Sequence, residues 1–167
     1  MQEIETKVLE VESNSIKSKL EALGAVETQN VKLKVDWCGP AGLTHKGDDP
    51  WFLRVRSYGN EKIELTWKAK SDHIGVARKH KEINMTVEDH EKMRELFEEL
   101  GLSTYAHQEK KRQSWKLGSV VFDLDTYPGM PSYLEIEGNS EEEINDMIKK
   151  LGLESHETWN NGERTLI

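Results

Sequence analysis

The sequence predicts an α+β fold in which antiparallel strands outnumber helices. Eight segments alternate polar and apolar residues with a period of two, which is typical of strands that have one face in a core. Three further segments carry apolar residues at helical spacing. The polar faces of the strands are ionic, and like charges repeat along them. We therefore expect a curved sheet whose charged face lines an interior and whose apolar face is covered by the helices.

The eight predicted strands are distributed along most of the chain. They cover Glu3–Val11, Val31–Trp37, Phe52–Tyr58, Lys62–Lys70, Gly75–Thr86, His107–Lys116, Val120–Tyr127 and Ser132–Glu137. Between the second and the third strand, residues 38–50 are rich in glycine and proline. Because loops of this length are often functional, we expect a mobile lid over the interior here.

The three predicted helices share a pattern at their ends. They cover Asn14–Leu23, Val87–Leu100 and Ser140–Leu151. Each ends in a Leu-Gly pair, and glycine after a helix tolerates the left-handed conformation found there. The third begins with Ser140 and has Glu143 three residues later, which is the spacing of a capping box. Ser13 or Asn14 is the expected cap of the first. No linker separates these elements, so we expect one domain over residues 1–167.

Composition and charge exclude several classes of protein. With 23 Lys and Arg residues against 31 Asp and Glu residues, the net charge is −8, which disfavours nucleic acid and anionic membranes as partners. No stretch approaches the roughly 20 apolar residues of a transmembrane helix, and the N-terminus has no signal-peptide pattern. Cys38 has no cysteine partner, and histidines such as His90 and His107 show no metal-ligand spacing, so surface positions are expected for them. The expected location is the cytoplasm.

The charged strand faces repeat one arrangement, in which two like charges are separated by one residue. The acidic pairs are Glu3/Glu5, Asp123/Asp125 and Glu135/Glu137, and the basic pairs are Arg54/Arg56, Lys68/Lys70 and Lys110/Arg112. A solvated sheet face is the alternative interpretation for any single strand, since cross-strand ion pairs contribute only roughly a few tenths of a kcal/mol. Recurrence on several strands favours function, because neighbouring carboxylates repel unless a cation lies between them.

These residue types fit a site for a divalent metal and a polyphosphate. Mg²⁺ and Mn²⁺ take oxygen ligands and usually keep substrate phosphates as partners. Arginine forks bind phosphate oxygens in a bidentate manner, and lysine adds a point charge. The sequence has no Gly-rich phosphate loop, which excludes P-loop chemistry. We therefore predict a metal–polyphosphate site on the charged face of the sheet.

The same residues resemble the signature of the CYTH domains, or triphosphate tunnel metalloenzymes. The opening Glu3-Ile4-Glu5-Thr6-Lys7 is similar to the Glu-x-Glu-x-Lys motif of that family. Its companions follow in order: Arg54-Val-Arg56, Lys68, Lys110-Lys-Arg112, Asp125 and Glu135-Ile-Glu137. The resemblance spans residue 3 to about residue 152. The family includes class IV adenylyl cyclases, thiamine and inorganic triphosphatases and fungal-type RNA triphosphatases.

The resemblance implies an eight-stranded antiparallel β-barrel that forms a tunnel, with helices packed outside. The implied ligands of Mg²⁺ or Mn²⁺ are Glu3, Glu5, Asp125, Glu135 and Glu137. The implied triphosphate-binding residues are Lys7, Arg54, Arg56, Lys68, Lys110 and Arg112. The implied catalytic residues are Glu3, Glu5, Lys7 and Glu82. His80 stands at an inward position where an acidic residue is expected, so the roles of His80, Arg78 and Asp123 stay open. A late basic strand is not evident, although Arg164 could serve.

The resemblance implies a metal-dependent hydrolase that acts on a small-molecule triphosphate. Inorganic triphosphate is favoured over a nucleoside or thiamine triphosphate, because it needs no pocket for a base or for thiamine. One alternative is a class IV adenylyl cyclase, for which Trp37, Trp51 or Tyr58 could stack on adenine. A second alternative is a non-catalytic polyphosphate or nucleotide binder. A homodimer is compatible with an exposed helical face, but the sequence identifies no interface.

Overall fold

Strand pairing closes the main sheet on itself. The computed structural model describes residues 2–42, 49–70 and 72–160, without the side chains of residues 2, 3 and 73. Its strands are β1 Gln2–Val8, β2 Val26–Gly39, β3 Trp51–Tyr58, β4 Lys62–Ala69, β5 Asp72–Ile74, β6 Ala77–Val87, β7 Ser103–Leu117, β8 Val120–Thr126, β9 Tyr133–Gly138 and β10 Thr158–Trp159. All pairs are antiparallel, and β1 pairs with both β9 and β6. The result is a closed ring in the order β1-β9-β8-β7-β2-β3-β4-β6.

The ring closes because β6 divides its pairing between two neighbours. Residues 78–81 pair with β1, and residues 82–87 pair with β4. The short strands β5 and β10 extend the sheet outside the ring, against β6 and β1. The predicted eight-stranded antiparallel barrel is therefore confirmed.

Three helices lie outside the barrel, as predicted. They are α1 Ser13–Ala22, α2 His90–Glu99 and α3 Glu141–Lys150. The cap of α1 is Glu12, one residue before the earlier of the two predicted caps, and its carboxylate accepts the N–H groups of Asn14 and Ser15. In α3, Ser140 caps the helix as predicted, with the Glu143 N–H 3.1 Å from its Oγ. None of the helices in the described part of the chain is long and apolar enough to cross a membrane.

Apolar side chains pack on both sides of the barrel wall. Outside, α1 and α3 bury Ile16, Leu20 and Ile144 against residues of β8 and β9 such as Phe122 and Ile136. A second outer cluster lies under α2. Inside, β2 and β3 contribute the buried residues Leu33, Val35, Trp37 and Tyr58. The outer clusters attach the helices, whereas the inner cluster gives the barrel interior one apolar wall.

Several predicted boundaries were wrong. The strands β2 and β7 begin at Val26 and Ser103, earlier than predicted, because they pair with each other along most of their length. The strand β6 runs to Val87, so α2 starts later than predicted. Of the predicted lid loop, residues 38 and 39 belong to β2, and residues 43–48 lie outside the described residues.

Candidate active site

Period-two alternation directs the charged side chains into the barrel. They line one cavity of about 300 Å³. The charged residues of its wall are Glu5, Lys7, Arg54, Arg56, Lys62, Lys68, Arg78, Glu82, Arg112, Asp123, Glu135 and Glu137. Most of the residues predicted from the sequence are therefore brought together around one space.

The carboxylates concentrate on three neighbouring strands, β1, β9 and β8. Glu5 and Glu137 are cross-strand partners, and Glu135 lies opposite Asp123. All four line the cavity. A cluster of carboxylate oxygens with this density is the donor set that hard divalent cations prefer. The side chain of Glu3, the first predicted ligand, lies outside the described residues.

Basic side chains line the cavity from β3, β4 and β7. The Nη2 atom of Arg56 lies 3.1 Å from Glu64 Oε1 and also contacts the Tyr58 hydroxyl. The guanidinium of Arg54 lies over the Trp37 ring, 5.6 Å from its centre. The Lys68 ammonium is 3.3 Å from Glu82 Oε2. These basic side chains line the cavity from the strands on which the sequence alternation placed them.

Ion pairs link the acidic and basic residues directly. The Lys7 ammonium lies 2.9 Å from Glu135 Oε2, and Arg78 Nε donates to Glu5 Oε1 at 2.8 Å. Glu5 and Lys7 are almost fully buried. Acidic and basic side chains of this cavity, called the tunnel below, therefore form ion pairs with each other. A bound metal ion would replace the basic partners of the carboxylates, and a bound phosphate would replace the acidic partners of the cations.

Asp125 occupies a different position from the other predicted metal ligands. It is completely buried, and its two oxygens accept Arg112 Nε at 2.7 Å and Arg112 Nη2 at 2.8 Å. Lys110 Nζ lies 2.8 Å from the same carboxylate, and the Tyr133 hydroxyl lies 3.2 Å from it. Among the described residues that line the cavity, neither Asp125 nor Lys110 occurs. The geometry makes Asp125 the group that orients Arg112, and its predicted metal role stays a prediction.

Asp123, two residues earlier on β8, does line the cavity. It accepts the Ser114 hydroxyl at 2.6 Å and lies 3.3 Å from Arg112 Nη1. Burial, together with the Glu135 and Asp125 carboxylates, raises the pKa of Asp123 despite the Arg112 charge. For Glu135, burial and the nearby Glu5 would raise the pKa, but the cations Lys7, Arg112 and Lys68 outweigh them and lower it. The pKa values of these two neighbouring carboxyl groups are therefore shifted in opposite directions.

Arg78 and His80, the two β6 residues whose roles stayed open, lie on the inner face of the barrel. His80 is buried, and its Nε2 lies 3.4 Å from Glu82 Oε2. Glu82 Oε1 also accepts Asn84 Nδ2 at 2.6 Å. His80 pairs through its backbone with Glu3 on β1. Glu82 therefore meets three polar neighbours, Lys68, His80 and Asn84, of which the sequence analysis named two.

Some wall residues were not assigned from the sequence. Lys62 and Phe52 line the cavity, and each lies on the same strand face as a residue that was assigned. Lys62 shares its face of β4 with Lys68, and Phe52 shares its face of β3 with Arg54. Strict period-two parity would have identified them. Arg164 lies outside the described residues.

Comparison with known proteins identifies the family of this chain. The sequence matches the CYTH domain family over residues 1–160. A relative from Methanocaldococcus jannaschii, named "Putative adenylate cyclase MJ0240", is 33% identical over 100 residues. That match covers 59% of this chain and 55% of the relative, so it spans little more than half of that protein's length.

Solved structures share the fold along nearly the whole chain. The PH1012 protein from Pyrococcus horikoshii superposes with a TM-score of 0.78 at 29% identity, covering 93% of this chain and 94% of its own. A Hippeastrum protein has a TM-score of 0.68 at 16% identity, covering 90% of this chain and 88% of its own. Its description calls it "Putative adenylyl cyclase HpAC1" and states that it has a dominant triphosphatase activity. The family match, which extends over almost the entire barrel and its charged tunnel, shows that this chain belongs to the CYTH domain family.

Proposed function

We propose that this protein is a divalent-metal-dependent hydrolase of a small triphosphate. The observation that carries the proposal is one cavity in which carboxylates from β1, β8 and β9 face basic side chains from β3, β4 and β7. A triphosphate with a metal ion presents the complementary charges, since the cation suits the carboxylates and the phosphate oxygens suit the basic side chains. The Hippeastrum relative, described with a dominant triphosphatase activity, supports the same reaction class.

The carboxylates fit Mg²⁺ or Mn²⁺ because they are hard oxygen donors on adjacent strands. Glu5, Glu135 and Glu137 would hold the ion, together with Asp123 or the predicted ligand Glu3. The predicted ligand Asp125 would have to leave Arg112 to join them. When bound, the metal would neutralise charge on the phosphate oxygens.

The chain's own basic residues would bind and orient the phosphate chain. Phosphoryl transfer depends mainly on positioning and on compensating the charge of the phosphate oxygens. Arg56 and Arg112 can each offer a planar fork, and Asp125 fixes the fork of Arg112 from behind. Glu82, held between Lys68 and Asn84, is the carboxylate that we propose accepts the proton of the attacking water.

Substitution of Arg56 by alanine is expected to weaken triphosphate binding on the order of ten- to a hundredfold, since a charge-assisted bidentate contact is lost. Orthophosphate, which needs fewer cations, should lose much less. Calorimetry with both anions measures the difference. Lys92→Ala, on the exposed side of α2, is the matched control. Equal losses for the two anions would contradict a site shaped for a triphosphate.

A cyclase is the second candidate, because the cavity has an aromatic side. Trp37 and Phe52 line it and meet edge to face, with ring centres 6.1 Å apart. The name of the M. jannaschii relative points to the same activity. In this case the ribose 3′-hydroxyl of ATP attacks its own α-phosphate, and cyclic AMP and pyrophosphate leave.

The substitution Trp37→Leu separates the two candidates. If adenine stacks on the indole, the variant should bind ATP roughly tenfold more weakly, as expected from stacking energies of about 1–3 kcal/mol per base. Inorganic triphosphate should lose clearly less affinity, because the loss of the Arg54 contact with the indole affects both ligands alike. Similar affinities of the variant and the wild type for ATP would remove the support for a base pocket.

One incubation series identifies the reaction. The protein is supplied with Mg²⁺ or Mn²⁺ and with inorganic triphosphate, thiamine triphosphate or ATP, and orthophosphate, pyrophosphate and cyclic AMP are quantified. Orthophosphate from inorganic triphosphate is the expected result. Cyclic AMP with stoichiometric pyrophosphate would establish the cyclase instead. Tight triphosphate binding without any product would make the tunnel a receptor and refute catalysis.

A further inference from the structure

A second polar cluster lies outside the barrel, across the wall from the tunnel. It consists of Asp36 on β2, Ser57 on β3, His107 on β7 and His90, the first residue of α2. The Asp36 side chain is only 4% exposed and that of His90 only 12%. The group borders its own cavity of about 610 Å³, which shares no described lining residue with the tunnel. The expectation of surface positions for these two histidines is wrong for His90.

Two imidazole rings contact the two oxygens of one carboxylate. His90 Nε2 lies 2.6 Å from Asp36 Oδ2, and His107 Nδ1 lies 2.8 Å from Asp36 Oδ1. The carboxylate of Glu91 is close as well, with one oxygen within 4.8 Å of ligand atoms of Asp36 and His90. Three side chains that commonly bind transition metals therefore converge, with Asp36 buried, His90 partly buried and Glu91 75% exposed on the solvent side.

The far nitrogens of both rings also have oxygen partners. His90 Nδ1 lies 2.6 Å from Ser57 Oγ, and His107 Nε2 lies 3.4 Å from Glu109 Oε2. Histidines that ligate metals almost always have such a partner on the other ring nitrogen, because it fixes the tautomer and the ring orientation. The cluster thus contains both the ligand atoms and the groups that would orient them.

We propose that Asp36, His90 and Glu91, with His107 beside them, form a binding site for a transition-metal ion of the Zn²⁺ class. A mixed imidazole and carboxylate donor set suits Zn²⁺, whereas the all-carboxylate set of the tunnel suits Mg²⁺. The ion would connect the start of α2 to β2, and its role would be to fasten the helix to the barrel. The site is independent of the function proposed for the tunnel.

Two features of the surroundings bear on this assignment. Arg94 competes with a metal, because its Nη1 lies 2.6 Å from Glu91 Oε2 and its Nε lies 3.7 Å from Asp36 Oδ2. The atoms of Ser57, His90 and Asp36 also have the distances of a nucleophilic triad. However, a triad would leave His107 without a role, and Asp36 shares its charge with His107 and Arg94. The metal site accounts for more of the cluster.

Metal titration of the full-length protein tests the proposal. After treatment with a chelator, the protein is titrated with Zn²⁺ by calorimetry and with Co²⁺ by visible absorption, in excess Mg²⁺ to occupy the tunnel. We expect one equivalent of bound Zn²⁺ and the absorption bands of a tetrahedral Co²⁺ site. His90→Gln should abolish both, and Ser57→Ala should weaken binding by about tenfold, as for other partners of metal-bound histidines.

Two further variants keep the result interpretable. His156→Gln, whose histidine contacts the Leu9 carbonyl far from the cluster, should bind like the wild type. Arg94→Gln should bind Zn²⁺ more tightly, because it removes the competing cation while the ligands stay in place. Absence of Zn²⁺ binding by the wild type, wild-type binding by His90→Gln, or weaker binding by Arg94→Gln would overturn the proposal.

Discussion

Glu137→Gln is expected to lower triphosphate turnover on the order of a hundredfold or more, a loss typical of removing one preorganised electrostatic group. Glu137 lines the tunnel beside its cross-strand partner Glu5, and glutamine keeps its shape while removing the charge. Metal affinity should fall together with kcat. Steady-state kinetics at several Mg²⁺ concentrations and calorimetry with Mn²⁺ measure the two effects.

The control for this substitution is Glu95→Gln, on the exposed side of α2, which should behave like the wild type. Glu5→Gln should be equally inactive, but it also changes the partner of Arg78, so it reports less cleanly on the metal. Thermal denaturation should show that the Glu137 variant is folded. Normal activity in both tunnel variants would refute the metal assignment.

Asp125→Ala is expected to lower the free energy of unfolding by about 3–5 kcal/mol, the range for removing one partner of a buried ion pair. Arg112 and Lys110 would lose their shared carboxylate in a fully buried position. Urea denaturation of the metal-free protein measures this change. A second readout follows from the geometry, because Arg112 would no longer be oriented and triphosphate affinity should fall as well.

The matched control is Asp146→Ala. Asp146 also forms an ion pair, 3.0 Å from Lys150, but both side chains are about half exposed. Such an exposed helical pair contributes roughly 0.3–0.5 kcal/mol. A loss of stability for Asp125→Ala that is no larger than this would show that the buried cluster is not the anchor of Arg112.

The barrel and its charged interior could be predicted because they depend on alternation along each strand. Once Arg54 and Arg56 are placed inside, parity also fixes the other residues on that face of β3. Alternation does not give cross-strand register, and register decides the roles on β8. Asp123 and Asp125 share a face, but Asp123 lies opposite Glu135, whereas Asp125 lies opposite Arg112 and Tyr133. Positions along the chain alone therefore do not distinguish the environments of Asp123 and Asp125.

The polar cluster around Asp36 could not be predicted because its members are far apart in the chain. His90 lies 54 residues from Asp36, and His107 lies 71 residues from it. They meet because β2 pairs with β7 along most of its length and because α2 starts above that pair. The weak strands β5 and β10 were missed for a related reason, since two or three residues contain too little alternation to be recognised.

A crystal structure with Mn²⁺ and inorganic triphosphate, with the manganese located by anomalous scattering, tests the central claim most directly. We predict manganese in contact with Glu135 and Glu137 and phosphate oxygens in contact with Arg56 and Arg112, all inside the barrel. Triphosphate bound only on the outer surface, or manganese away from the tunnel carboxylates, would contradict the account.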